Sequence, residues 1–404
     1  DSIIAPFALF PDSGEQPNPK MLDGLRWAWQ WADEAGVVYS RMLACDQVAS
    51  SLAERYPSAM GGGWGGKCTL DPGLRELQSR YLRTVAAAAS PHWSAGVYIL
   101  YGENTHGLST HPLEVAAFAR WLQEDYGLLS ALNEAWGTDF ASWEEIGNAQ
   151  HVSSPVAWHD RGRFAMKLFT DWTAWLQEQV RSVDPAALCT GYPSLLSWDD
   201  SSDFSSGIDM EALCRVLNVN GFDTAALDYG GKRWAMSSIT GLAMPHDMAR
   251  AFNPRNPNFD PELHLVNLNQ RYPDEYIRAA LFQGCLHGMS AANLWVFERS
   301  EGMDSMLVFQ PRVMAAYLRT VLDLRRLVRP ILAFQQAPSQ VALLYSLTSV
   351  AYDPQHLPEM RAAYEGTFFS DTKVSFVTER SVMEGALDGL RVLIIPAAGH
   401  VPQP

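Results

Sequence analysis

Several protein classes are excluded by what this sequence has little of. Its 404 residues hold five cysteines, at positions 45, 68, 189, 214 and 285, with no Cys-x-Cys or Cys-x-x-Cys pair. An odd, scattered set of this kind is neither a disulfide framework nor a zinc knuckle. It reads as free thiols in a reducing compartment, which makes a cytoplasmic location the expectation. No apolar run approaches the roughly 20 residues of a membrane span, so no membrane partner is expected. Basic residues are also scarce, with 30 Lys and Arg against 45 Asp and Glu and a formal charge of −15. That balance argues against nucleic acid and favours a neutral or cationic ligand. The single glycine-rich run, Gly61-Gly-Gly-Trp-Gly-Gly66, lacks the Lys-Ser/Thr of a phosphate loop. It reads as a surface loop that could carry Trp64 over a cleft.

Aromatic side chains are plentiful: 14 Trp and 14 Tyr. Flat rings suit the apolar faces of sugars, although large cores also consume tryptophan. Along the chain, apolar β-rich runs alternate with helical patterns. Strands are expected at 3–10, 37–43, 97–102, 188–192, 224–229, 258–264 and 291–297. Helices are expected at 22–35, 74–88, from Pro112 to about 126, 164–183, 276–286 and 312–327. This is the βαβα succession of a (β/α)8 TIM barrel, one strand short at the front, so an N-terminal strand is expected to be missing. After Pro330 the register changes. Strands at 341–345, 374–377 and 392–395 and a helix at 359–369 describe a partial α/β domain. The expected division is a barrel over 1–330 and a truncated α/β domain over 331–404.

The most informative stretch is Val97-Tyr-Ile-Leu-Tyr-Gly-Glu-Asn-Thr-His-Gly107. Its strand ends at Gly102 and delivers Glu103, Asn104 and His106 to the C-terminal end, where parallel barrels place their chemistry. A carboxylate there, beside hydrogen-bonding side chains, is a candidate general acid/base, with a loop or capping carboxylate as the alternative.

Two further segments carry a resemblance. Phe118–Ile146, with Ala-Leu-Asn-Glu-Ala-Trp-Gly-Thr-Asp-Phe140 and Trp143-Glu-Glu-Ile146, resembles the segment after the acid/base in family 42 β-galactosidases, which belong to a clan of retaining glycosidases. Val341-Ala-Leu-Leu-Tyr-Ser346 through Val392-Leu-Ile-Ile-Pro396 resembles that family's amidotransferase-like trimerisation domain. The resemblance implies a β-galactosidase-like exo-glycosidase on a carbohydrate substrate, needing no cofactor or metal, and a homo-oligomer, a trimer, at full length. It makes Glu103 the acid/base and requires a nucleophile on the seventh strand, for which Glu262 is the candidate. Glu298 is the rival and Asp228 a weaker one.

The family's Asn before the acid/base is replaced here by Gly102, so Asn104 would do its work from the other side; the family's zinc-binding cysteines are absent. In the same frame Tyr229 would tune the nucleophile and Trp295 would form an aromatic platform. Tyr192, His264 and Arg299 would orient hydroxyls. Two other readings remain open: a metal-dependent barrel hydrolase using His106 and His111, and a non-catalytic carbohydrate-binding or scaffold protein.

Overall fold

The computed structural model describes residues 9–10, 16–45, 52–147, 149–193, 204, 207–224, 239–266, 272–295 and 307–402. The expected strand at 3–10, apart from Leu9 and Phe10, falls outside these residues. So do Asp228, Tyr229, Glu298 and Arg299. The chain forms two compact units, Asp1–Ser194 with Ser202–Leu217, and Leu195–Ser201 with Asn218–Pro404.

The first unit contains a parallel sheet of β1 (Tyr39–Met42), β4 (Ala95–Gly102) and β5 (Leu188–Tyr192), with β4 in the middle. Between β1 and β4 lies a small antiparallel pair, β2 (Met60–Gly62) and β3 (Gly66–Lys67). This hairpin is the glycine run expected to be a surface loop. The difference comes from Trp64, which is 1% exposed and packs with its ring centroid 4.5 Å from that of Trp172, with the Lys67 ammonium 4.7 Å from the Trp64 ring centroid. The glycines supply tight turning around that anchor, and Gly62 leaves no room for a Cβ against the Lys67 backbone.

Helices cover the sheet because their apolar residues repeat on one face. In Pro72–Ala89 the buried set is Leu74, Leu77, Gln78, Tyr81, Leu82, Val85, Ala86, Ala88 and Ala89. The helix packs on Pro155–Arg181, with Trp172 Nε1 donating to Gln78 at 3.3 Å and Ser79 to Gln179 at 2.8 Å. Its start is set by Pro72 and by Asp71, a buried N-cap that accepts from Leu74 N at 2.9 Å. Asp71→Ala should lower stability by about 1 kcal/mol, the usual worth of such a cap, seen as a reduced urea midpoint at unchanged slope.

The second unit holds a parallel sheet of β6 (Asn220–Gly221), β7 (Asn258–His264) and β8 (Met289–Trp295), with β7 central and buried along its whole length. Of the strand expected at 224–229, all but Thr224 lies outside the described residues, and the described strand ahead of it is β6, Asn220–Gly221. Its polar sequence hides it, since Asn220 is buried and bonded side chain to side chain with Asn258 at 2.9 Å. The ladder continues past β6 through Phe222 N to Phe259 O and His264 N to Thr224 O, at 3.2 and 2.8 Å.

A third parallel sheet, in the order β10 (Val374–Thr378), β9 (Val341–Tyr345), β11 (Val392–Ile394), lies within the same unit, and the 330/331 boundary falls inside the helix Val328–Gln336. None of the five cysteines is in a disulfide. Burial pushes the thiols of Cys68 and Cys189 up to about 12, which leaves them unreactive at neutral pH. Among the described residues no helix is long and apolar enough to cross a membrane.

Candidate active site

In the first unit, β4 delivers Glu103 through a constrained turn. Gly102 pairs with Tyr192 of β5, and a Cβ on Gly102 would sit 2.5 Å from the Tyr192 hydroxyl oxygen. Glycine is therefore required by the tyrosine ring lying across it. Tyr192 itself is 1% exposed, and its carbonyl accepts from Glu103 N at 2.9 Å. Glu103 then takes φ 54°, a left-handed conformation uncommon for a residue with a side chain. Such backbone costs on the order of 1–3 kcal/mol and gathers at functional sites. The carboxyl is exposed, and the adjacent Asn104 folds back to donate to Gly102 O at 3.0 Å.

Beyond Asn104 the loop dives into the protein. His106 is fully buried and neither ring nitrogen has a hydrogen-bond partner among the described residues. Burial pushes its pKa down to about 4, so the ring is neutral, with Glu114 4.0 Å away. Glu114, also fully buried, gathers the loops: it accepts from Gly63 N at 3.1 Å, Ser109 N at 3.2 Å and the Ser109 hydroxyl at 2.6 Å. One carboxylate thus ties the β2–β3 hairpin to the loop that follows Glu103. Gly107 N adds a bond to Gly63 O at 3.0 Å, and Gly207 allows its backbone to press on the His106 carbonyl. His111 caps the helix Pro112–Tyr126, accepting from Leu113 N at 3.2 Å through Nδ1, while Nε2 donates to Ser58 O at 2.7 Å. Both of its nitrogens serve the fold.

In the second unit, Glu262 and His264 lie near the C-terminal end of β7 on one strand face. Both are 8% exposed, and His264 Nε2 is 3.9 Å from Glu262 and 3.5 Å from Asp223. Trp295, at the end of β8 and paired with His264, holds its ring centroid 6.0 Å from the imidazole. The structure therefore gathers Glu262, His264 and Trp295 in one unit, and Glu103, Asn104, His106 and Tyr192 in the other. Sequence reading missed Asp223 and Asp260 beside Glu262, and Glu114 beside His106. Asp260 had a signal: Asp260, Glu262 and His264 stand at i, i+2 and i+4 of one strand.

Residues 75–304 match the family model of glycoside hydrolase family 42, described as β-galactosidase. A β-galactosidase of Arthrobacter sp. is 37% identical over 101 residues, covering 23% of this chain and 15% of that protein. The apo exo-carrageenase GH42 from Bacteroides ovatus superposes with a TM-score of 0.82 at 20% identity, covering 98% of this chain and 58% of that one. The cold-adapted β-galactosidase from Rahnella sp. R3 does so with 0.78 at 16% identity, covering 96% and 60%. This likeness shows the fold, that of TIM-barrel-like glycosidases, and the chain spans less than two thirds of the length of each of these relatives.

Proposed function

We propose, from the premise that the chain belongs to glycoside hydrolase family 42, that it is a retaining exo-glycosidase acting on β-linked, galactoside-like substrates. The observation that carries this reading is the family match over 75–304, which encloses both Glu103 and Glu262. Each of these stands where a parallel strand ends or nears its end, the position from which barrel enzymes draw catalytic groups.

In this mechanism Glu103 protonates the leaving oxygen while Glu262 attacks the anomeric carbon. Glu103, now a base, then activates water to release the glycosyl-enzyme with overall retention. The route requires the two carboxyl groups to come within about 5–5.5 Å of each other, since the nucleophile must reach the sugar directly. It draws on no metal or organic cofactor. Trp295 offers a flat apolar face for the sugar ring, and Asn104 and His264 supply hydrogen-bonding groups for its hydroxyls.

A panel of nitrophenyl β-glycosides tests the reading, with NMR of the first-formed anomer. The β-galactoside is expected to turn over fastest and to give the β-anomer first. An α-anomer first would contradict double displacement. Binding of the sugars without turnover would favour the carbohydrate-binding alternative.

A further inference from the structure

We propose that Asp260 is a positioning residue for the nucleophile, a latch that holds a β-bulge and thereby aims Glu262. This rests on the assignment of Glu262 above. The bulge is visible in the pairing of β7 with β8. Asp260 pairs with Ala292 and Leu263 with Leu294, so three steps on β7 match two on β8 and one residue is extra. The extra residue falls at Pro261-Glu262. Proline brings no N–H to the ladder, and a bulge re-aims the side chain beside it.

The freed Glu262 N–H does not go unpaired. Asp260 Oδ1 accepts it at 3.2 Å, while Asp260 Oδ2 is bonded to the Thr224 hydroxyl from the segment that follows β6. One carboxyl thus joins the bulge on β7 to the neighbouring chain segment. Asp260 is fully buried, and an ionisable group is costly to bury where an apolar one would pack. Its position at the bulge supplies a reason for it.

The groups facing Asp260 define how it titrates. Along β7 that group is Glu262, and from the adjacent segment Thr224; His264 and Asp223 form the next contacts, His264 lying 3.9 Å from Glu262 and 3.5 Å from Asp223. Across β8, Ala292 and Leu294 carry no charge. Burial, aided by the Glu262 charge, pushes the Asp260 carboxyl up to about 8. A neutral Asp260 can accept from both the Thr224 hydroxyl and Glu262 N, and it spares the nucleophile a second negative charge. Ionisation above pH 8 keeps both acceptor bonds and adds that charge beside Glu262.

The sign of the stability effect follows. A carboxyl raised in the folded state holds its proton there but loses it in the unfolded chain above about pH 4. Its stabilising contribution is therefore full below that pH and is lost as pH rises toward 8.

The test compares Asp260→Asn and Asp260→Ala with the wild type in the full-length protein, reading kcat, KM and Tm from pH 5 to 9 on nitrophenyl β-galactoside. The asparagine can make both hydrogen bonds and cannot ionise. It should keep kcat near pH 6 within about threefold, move the alkaline limb of the profile upward, and gain Tm over the wild type as pH rises. The alanine leaves Glu262 N–H unheld and should lose about 10- to 100-fold in kcat with little change in KM, as small misplacements of a reacting group do. An active wild type whose Asp260→Ala variant keeps kcat would overturn the proposal alone. If the alanine variant does not fold, an unchanged alkaline limb and unchanged Tm profile in Asp260→Asn overturn it. A wild type that turns over no β-glycoside contradicts the assignment of Glu262, and the latch falls with it.

Discussion

Glu262→Ala should abolish turnover of even activated aryl β-glycosides, a loss of at least about 10⁴-fold in kcat, as expected when a group that bonds to the substrate is removed. The barrier rises because the first step loses its attacking atom, and the cavity left by the side chain admits a small anion. Azide should therefore restore part of the activity on a good leaving group, giving the glycosyl azide of inverted configuration. Glu103→Ala separates the two steps. A nitrophenolate needs little protonation to depart, so the first step should be largely spared for such substrates. Departure of an alkyl alcohol should slow severely, and azide should now give a product of retained configuration. The contrast between the two azide products distinguishes nucleophile from acid/base without reference to stability. Equal, near-normal activity in both variants would make the pair structural.

Glu114→Ala should be the most damaging single change to the fold discussed here. The carboxylate is wholly buried and receives Gly63 N, Ser109 N and the Ser109 hydroxyl. Alanine leaves all three donors without an acceptor, at roughly 1–3 kcal/mol for each buried group left unsatisfied, so a loss of about 3 kcal/mol or more is expected. Glutamine retains one acceptor oxygen and should recover part of it. Denaturant titration measures both, and unchanged midpoints would show that the loops hold without this carboxylate.

His106, next to Glu114, adds a pH dependence with a defined sign. Its folded pKa lies near 4, below the unfolded value of about 6.5, so the unfolded chain binds the extra proton. Stability should fall as pH drops from about 6.5 toward 4.

Much of this architecture is legible in the residues themselves. The helix Pro112–Tyr126 announces its start with Pro112 and its inner face with Phe118 and Leu122. Strands β7 and β9 are legible at their observed limits, because Asn258–His264 and Val341–Tyr345 are bounded runs in a repeating βα pattern. Less visible are features that depend on partners distant in sequence. Trp64 looked like a loop residue because nothing nearby shows that Trp172 receives its ring. Asn220 is polar, and the partner that buries it, Asn258, lies 38 residues away. The same holds around the candidate site. Glu103 stands out at its strand end, but its left-handed backbone follows from Tyr192 across Gly102. Glu114 reads as an ordinary first-turn acid of a helix until the hairpin and the Ser109 turn converge on it. Short-range patterning revealed which residues could act; tertiary packing determines which of them are held.

The central claim is that Glu262 forms a covalent bond to the sugar. Incubating the protein with a 2-deoxy-2-fluoro-β-galactosyl fluoride, then digesting it and sequencing the labelled peptide by mass spectrometry, tests that directly. The fluorine slows both steps and the fluoride leaving group restores the first, so the intermediate should accumulate. One equivalent of label is expected on Glu262. A label on Glu298, or turnover of β-glycosides by a protein that never acquires a label, would contradict it.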